Sequence, residues 1–281
     1  MTARPILNHT LVADPGVRPH AWLLMLHGFF GAGRNWATVA RRVVAARPEW
    51  GIVLADLRLH GGSQGFAPPH TLEACADDLA ALRDAVVPRA DGPDVPLRAV
   101  LGHSFGGKVA LMYLSRHPAG LRQFWIVDAD PSPSAPQGGA WEMLRAVKAL
   151  PSSFRAREDA VAGLERSGFD RRTAEWMATN LERTDDGYRW RLDFVGLEAL
   201  LRDFFQTDLW GVIERFPPDV DLHVVRATRS DIVPEASVSR LQAIGRATGR
   251  VAVDHVAGGH WLNADNPDAL VALLAAGLPA T

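Results

Sequence analysis

Residues 101–108 read L-G-H-S-F-G-G-K, a serine set between glycines directly after an apolar run. The pentapeptide G-H-S-F-G fits G-x-S-x-G, in which a serine on a sharp strand-to-helix turn is presented as a nucleophile. Glycine at 102 and 106 lets neighbouring backbone pass that turn without a Cβ clash. A serine hydroxyl is barely ionised at neutral pH, so Ser104 needs a base. Of ten histidines, His260 in V-A-G-G-H-W-L-N-A-D-N-P is the best placed, after the last apolar run and before the last helical stretch. Attack on a carbonyl builds an oxyanion that preorganised N–H groups must meet. The backbone N–H of Phe105, next to the serine, is one candidate donor. The run H-G-F-F-G at 27–31 suggests the N–H of Phe29 as the other.

Such groups meet only if strand ends are brought together. Short runs rich in Val, Ile and Leu recur at 6–13, 21–27, 51–56, 97–102, 124–128, 222–227 and 251–256. Segments of helical period lie between or after them at 35–46, 71–87, 105–116, 237–247 and 267–278. That alternation predicts an α/β fold, a mostly parallel sheet flanked by helices. Thr71 reads as an N-cap, and Cys75 falls on the buried stripe that follows it. The regularity breaks after Asp130, where P-S-P-S-A-P-Q-G-G opens a segment with three stretches of helical period. We therefore expect a core of residues 1–130 and 219–281 with an inserted helical lid at 131–218.

Composition excludes several classes. The 281 residues carry 47% hydrophobic and 22% charged side chains and a net charge of -2, with no basic cluster to track a phosphate backbone. Nucleic acid is not an expected partner. Cys75 is the sole cysteine, which rules out an internal disulfide and a cysteine-based metal site and fits a reducing cytoplasm. No stretch approaches the roughly 18 apolar residues of a membrane span, and the first residues lack a signal-peptide pattern. Gly31 and Gly33 begin a G-x-G, but Trp36 stands where a dinucleotide fingerprint needs its third glycine. No metal or organic cofactor is expected.

The four motifs H-G-F-F-G, D-L-R-L-H-G-G-S, G-H-S-F-G-G-K and G-G-H-W-L-N-A-D-N-P, in that order, resemble the α/β-hydrolase superfamily, and small bacterial serine carboxylesterases within it. The resemblance implies the α/β-hydrolase fold and a Ser-His-acid triad. It makes His60 a loop residue and His27 a residue that shapes the oxyanion loop. Members usually carry the acid in a segment similar to G-x-x-D-x-I-V-P, whereas A-T-R-S-D-I-V-P at 227–234 places Ser230 at that position. Two carboxylates can substitute. Asp231 is one residue late; Asp128 ends the run F-W-I-V-D, which this fold places beside the later strand. A subset of bacterial esterases is similar in having D-x-x-P at the earlier site and serine at the later one, so Asp128 is favoured, Asp231 is the alternative, and Ser230 is an assisting hydrogen-bond donor. Asp130, before Pro131, reads as a turn residue. Lys108 reads as a structural salt bridge or a solvated ammonium rather than a catalytic group.

These residues imply a serine hydrolase acting on carboxylic esters of small or medium acyl groups. Phe30, Trp141, Met143, Leu144, Phe204 and Phe205 are the expected pocket wall. The alternatives are a carbon–carbon bond hydrolase or lyase of the same fold, and a slow-turnover binding protein for a small ligand. Substrate identity and oligomeric state are not legible.

Overall fold

The runs at 21–26, 50–55 and 123–127 leave no residue exposed, as strands covered on both faces must. A computed structural model describes residues 5–86 and 95–280. Its central sheet contains β1 (His9–Val12), β2 (Ala21–Leu26), β3 (Trp50–Ala55), β4 (Leu97–His103) and β5 (Gln123–Val127) from the first half of the chain. After a long insertion, which holds β6 (Ser153–Phe154), β7 (Leu181–Thr184) and β8 (Gly187–Trp190), the sheet resumes with β9 (Asp221–Ala227) and β10 (Val251–Val256). The order is β1-β3-β2-β4-β5-β9-β10. All neighbours run parallel except β1, which is antiparallel to β3.

Helices close both faces. Alternation along β2 sends Leu23 and Met25 to one core and Leu24 and Leu26 to the other. The first core is completed by Val39 and Val43 of α1 (Ala37–Ala46) and by Leu270 and Leu274 near the C-terminus. The second receives Leu79 and Leu82 of α2 (Leu72–Val86) and Val109 and Leu114 of α3 (Phe105–Arg116). Cys75 lies on the buried side of α2, and burial pushes its thiol pKa well up, which leaves it inert core. Thr71 accepts the Ala74 N–H at 3.1 Å and caps the helix. The expected end of that helix at Val87 lies outside the described residues. Among the described residues, no helix is long and apolar enough to cross a membrane.

The first strand is shorter than its apolar run. Asn8 keeps one bond across to the end of β3, its carbonyl accepting the Asp56 N–H at 2.8 Å, but its own N–H goes to Ser63 Oγ at 2.8 Å and its Nδ2 to Asp56 at 2.7 Å, so the paired strand begins at His9.

The segment between β5 and β9 corrects a second expectation. It is helical in α4 (Gly139–Ala149), α5 (Arg157–Arg166), α6 (Arg171–Met177), α7 (Phe194–Gln206) and α8 (Trp210–Arg215). It also holds a three-stranded antiparallel sheet in the order β6-β8-β7. The signal for the β7–β8 hairpin is R-T-D-D-G-Y-R-W, where Asp185 and Asp186 form the loop and Gly187 takes a φ of 136°. The chain ends in α9 (Glu235–Thr248), α10 (Leu262–Asp265) and α11 (Pro267–Gly277).

Lys108 differs most from its reading. The residue is 2% exposed, and no carboxylate among the described residues is in salt-bridge contact with it. Nζ instead donates to the carbonyls of Ser132 at 2.7 Å, Phe204 at 2.9 Å and Thr207 at 2.9 Å, all in the inserted segment, and lies 4.8 Å from the centre of the Phe204 ring. Burial draws its pKa down to about 8, while Asp130, Asp208 and Asp203 pull it upward. At neutral pH it is an ammonium whose three protons are all engaged. Replacing it leaves buried acceptors unpaired, each costing about 1–3 kcal/mol. Lys108→Met should therefore lower unfolding free energy by at least about 3 kcal/mol in urea titrations. An unchanged midpoint and slope would contradict this role.

Candidate active site

β4 ends at His103 and α3 begins at Phe105, which leaves Ser104 alone in the turn with φ 52° and ψ -117°. A non-glycine residue with positive φ is strained and persists only where its surroundings impose it. Here they do. The Ser104 N–H donates to Val127 O at 3.0 Å, and its carbonyl accepts from Gly107 N–H at 2.8 Å. A Cβ at Gly102 would run into the Gly106 carbonyl, and one at Gly106 would lie 2.6 Å from His27 O. The glycines permit the close approach that forces the serine outward.

His260 follows β10 and completes a chain of hydrogen bonds. Its Nε2 lies 3.0 Å from Ser104 Oγ, and its Nδ1 lies 2.7 Å from Asp128 Oδ2. Asp128 sits just past β5 with φ 46° and is completely buried. Its Oδ1 accepts the Ala227 N–H at 3.1 Å, and its Oδ2 also accepts the Ser230 hydroxyl at 2.6 Å. Burial pushes the Asp128 pKa up, but hydrogen bonds from His260 and Ser230 outweigh it and hold the carboxyl below the ordinary range. An ionised Asp128 accepts the hydrogen bond of Nδ1–H and so keeps the proton on Nδ1, which leaves Nε2 bare and able to accept from Ser104.

The structure thus brings Ser104, His260, Asp128 and Ser230 together. It does not bring Asp231, whose side chain is exposed and makes no hydrogen bond to His260. The adjacency of β5 and β9 decides the difference: pairing of Val127 with Val225 sets the Asp128 side chain against the loop after β9. Ser230 already faces that carboxylate from the position where a second acid would stand.

The first glycine loop is built by hydrogen bonds. Gly31 N–H donates to Gly28 O at 3.0 Å, and Phe30 takes a φ of 61°. His27 donates from Nδ1 to Gly28 O at 2.7 Å and accepts the Leu57 N–H on Nε2 at 2.9 Å. Burial lowers its pKa, so it serves the loop as a neutral ring. His60 is buried, donates from Nδ1 to Arg58 O at 2.8 Å and packs 5.0 Å from Phe29 between ring centres. Burial, followed by the proximity of His27, lowers its pKa to about 3. Neither histidine approaches the serine as a base.

A cavity of about 710 Å³ opens onto Ser104 and His260. Phe29, Phe30 and Met143 line it, together with Phe169, Trp176 and Trp261. Four expected wall residues do not. Leu144 is buried inside the insertion, and Phe205 packs edge-on to Trp141 at 6.2 Å, with the Arg202 guanidinium 4.9 Å from the Trp141 ring. Phe204 is taken up by Phe105, 5.6 Å away, and by Lys108. Helical period marks which residues turn inward, but not whether the inner face meets a cavity or another side chain. Phe169 and Trp176 come from α6 and its approach, and Trp261 is the neighbour of His260 in G-G-H-W. The last of these was within reach of the motif.

A family model described as "Alpha/beta hydrolase family" matches residues 23–273. The chain is 28% identical over 207 residues to the sn-1-specific diacylglycerol lipase ABHD11 of Danio rerio, covering 72% of this chain and 62% of that protein's length. Over 118 residues, 42% of each chain, it is 30% identical to the 2-succinyl-6-hydroxy-2,4-cyclohexadiene-1-carboxylate synthase of Klebsiella pneumoniae. Among solved structures, a marine microorganism esterase superposes with a TM-score of 0.77 at 22% identity, covering 95% of this chain and 97% of that one.

Two outcomes follow from the geometry around Asp128. Asp128→Asn should lower kcat/KM for an ester by about three to four orders of magnitude, as loss of the orienting carboxylate does in comparable triads. Asp231→Asn should leave it within about twofold, as for an exposed side chain. The reverse pattern would transfer the role to Asp231. A carboxyl whose pKa falls on folding adds stability above its unfolded value, about 3.9, and loses it as pH drops through the lower folded value. Denaturation of Asp128→Asn between about pH 4 and 2 should therefore show a shallower acid loss than wild type. Parallel curves would mean that the carboxylate is not held in this way.

Proposed function

The chain belongs to the alpha/beta hydrolase family, and from that premise we propose that it is a serine carboxylesterase of small or medium acyl groups. The observation that carries the reading is the unbroken path Ser104 Oγ, His260 Nε2, His260 Nδ1, Asp128 Oδ2, with steps of 3.0 and 2.7 Å. His260 takes the Ser104 proton as Oγ attacks the ester carbonyl. The N–H groups of Phe105 and Phe29 receive the oxyanion, helped by the partial positive charge at the start of α3. Collapse of the tetrahedral intermediate passes the proton from Nε2 to the leaving alkoxide and leaves an acyl-Ser104. Water, deprotonated by the same nitrogen, then releases the acid and restores the serine.

Asp128 keeps the imidazole in the tautomer that makes this possible and stabilises its charged form, and the hydrogen bonds from His260 and then Ser230 keep Asp128 ionised. The segment at 131–218 acts as the lid, with Met143, Phe169 and Trp176 offering an apolar wall to the acyl or alcohol group. A volume of about 710 Å³ falls within the range typical of small-molecule sites. The single, buried Cys75 suits a reducing cytoplasm. The lyase alternative has weaker support, a similarity to a protein named as a synthase that is confined to 42% of the chain.

The test is a series of p-nitrophenyl esters from acetate to decanoate. Turnover should be measurable, rise from acetate to butyrate or hexanoate as the apolar wall is engaged, and fall at least about a thousandfold in Ser104→Ala. Equal turnover by Ser104→Ala would contradict the mechanism, and cleavage of a vinylogous diketone without ester turnover would favour the carbon–carbon reading.

A further inference from the structure

His103, the residue between Gly102 and Ser104, has no part in the mechanism above. It ends β4 with 4% of its surface exposed, and its ring lies among the three loops that make the site. Its Nε2 is 2.7 Å from the backbone carbonyl of His260. A carbonyl can only accept, so Nε2 carries the proton and Nδ1 is bare. The bare edge faces the first glycine loop: a Cβ on Gly28 would lie 3.0 Å from Nδ1. The His103 and His260 rings approach to 4.7 Å at 40°, and Trp36 stands 6.2 Å away, edge-on to His103.

The loop that carries His260 is fixed peptide by peptide. The Gly258 carbonyl accepts from Arg229 N–H at 2.9 Å, and the Gly259 N–H donates to Asp265 at 3.0 Å. The next group along, the His260 carbonyl, is held by His103. We propose that His103 is a positioning residue for the reaction, fixing the height of His260 so that Nε2 meets Ser104 Oγ. This rests on the ester-hydrolase reading for its kinetics, but the contact itself does not.

The choice of histidine has a physical cost that the site keeps low. A second imidazole beside His260 would oppose the imidazolium of the transition state if it were also charged. Burial first, and then the proximity of His260, lower the His103 pKa to about 3, against the hydrogen bond to the His260 carbonyl and then Asp128, with His27 adding to the lowering. The ring therefore stays neutral while it donates. Because His103 precedes the nucleophile directly, any movement of Ser104 is transmitted to the loop of its base.

The experiment compares His103→Phe, which fills the space without a donor, with His103→Gln, which returns an N–H donor at similar reach. Thermal unfolding confirms that each is folded. Butyrate ester kinetics should show kcat of the Phe variant down about 10- to 100-fold, the range expected for misplacement of a catalytic group by about 1 Å, with KM within about threefold. The Gln variant should recover kcat to within about fivefold of wild type. The low-field proton resonance of His260 Nδ1–H, shared with Asp128, should broaden or shift in Phe and return in Gln. Unchanged kcat in Phe, equal losses in Phe and Gln, or a rise in KM alone would overturn the proposal. If wild type hydrolyses no ester, the functional reading falls, and the resonance still decides: an undisturbed His260 signal in Phe would sink the positioning role.

Discussion

A carboxylate with no exposed surface must find all its partners inside the protein, and Asp128 finds three. A buried charge lacking them would cost several kcal/mol or lose its ionisation. Its partners are the Ala227 N–H, the Ser230 hydroxyl and His260 Nδ1, drawn from the end of β9 and the loops after β9 and β10. Satisfying Asp128 therefore draws three chain segments to one point at the C-terminal edge of the sheet. His260 is aimed by that demand, and Ser104 is the group at which it is aimed. The strained turns at Ser104 and Asp128, both with positive φ, sit at the ends of adjacent strands β4 and β5, which the sheet holds in register.

The same strand edge anchors the insertion. Lys108, one turn into the helix after Ser104, ties three carbonyls of the inserted segment to α3. On the opposite side, Asn180 Nδ2 donates to Phe30 O at 3.0 Å, which connects the insertion to the loop before α1. Arg172 reaches Asp265 at 3.3 Å, and Trp176 meets Trp261 at 5.4 Å beside His260. The wall over the cavity is thus fastened to the helix after Ser104, to the glycine loop at 27–31 and to the segment around His260. Movement of the wall would be felt at the serine helix, the glycine loop and the histidine loop alike.

Much of this was legible in the sequence, for identifiable reasons. Parallel strands covered on both faces leave unbroken apolar runs, and the turn around Ser104 tolerates so few side chains that glycine marks it. His260 follows from chain order and its place after the last strand. The acid was narrowed to Asp128 and Asp231 but not decided, because one residue of register in a loop turns a side chain around, and only the pairing of β5 with β9 fixes which one faces His260. Lys108 misled because a lysine suggests an acid partner, whereas here the partners are backbone carbonyls, which have no sequence signature. The β6-β8-β7 sheet was missed, and Trp141, Leu144, Phe204 and Phe205 were assigned to a cavity wall of which, among the expected residues, only Phe30 and Met143 are part, for a related reason. Periodicity reports burial, and burial against another side chain looks the same in sequence as burial around a cavity.

In the proposed reaction Ser104 Oγ is the atom to which the acyl group is transferred. Intact mass and peptide mapping after reaction with a fluorophosphonate, which captures an activated serine as a stable adduct, test it without reference to substrate. One adduct per chain is expected, on the peptide containing Ser104, formed much more slowly in Asp128→Asn. No adduct, or an adduct on another residue, would contradict it.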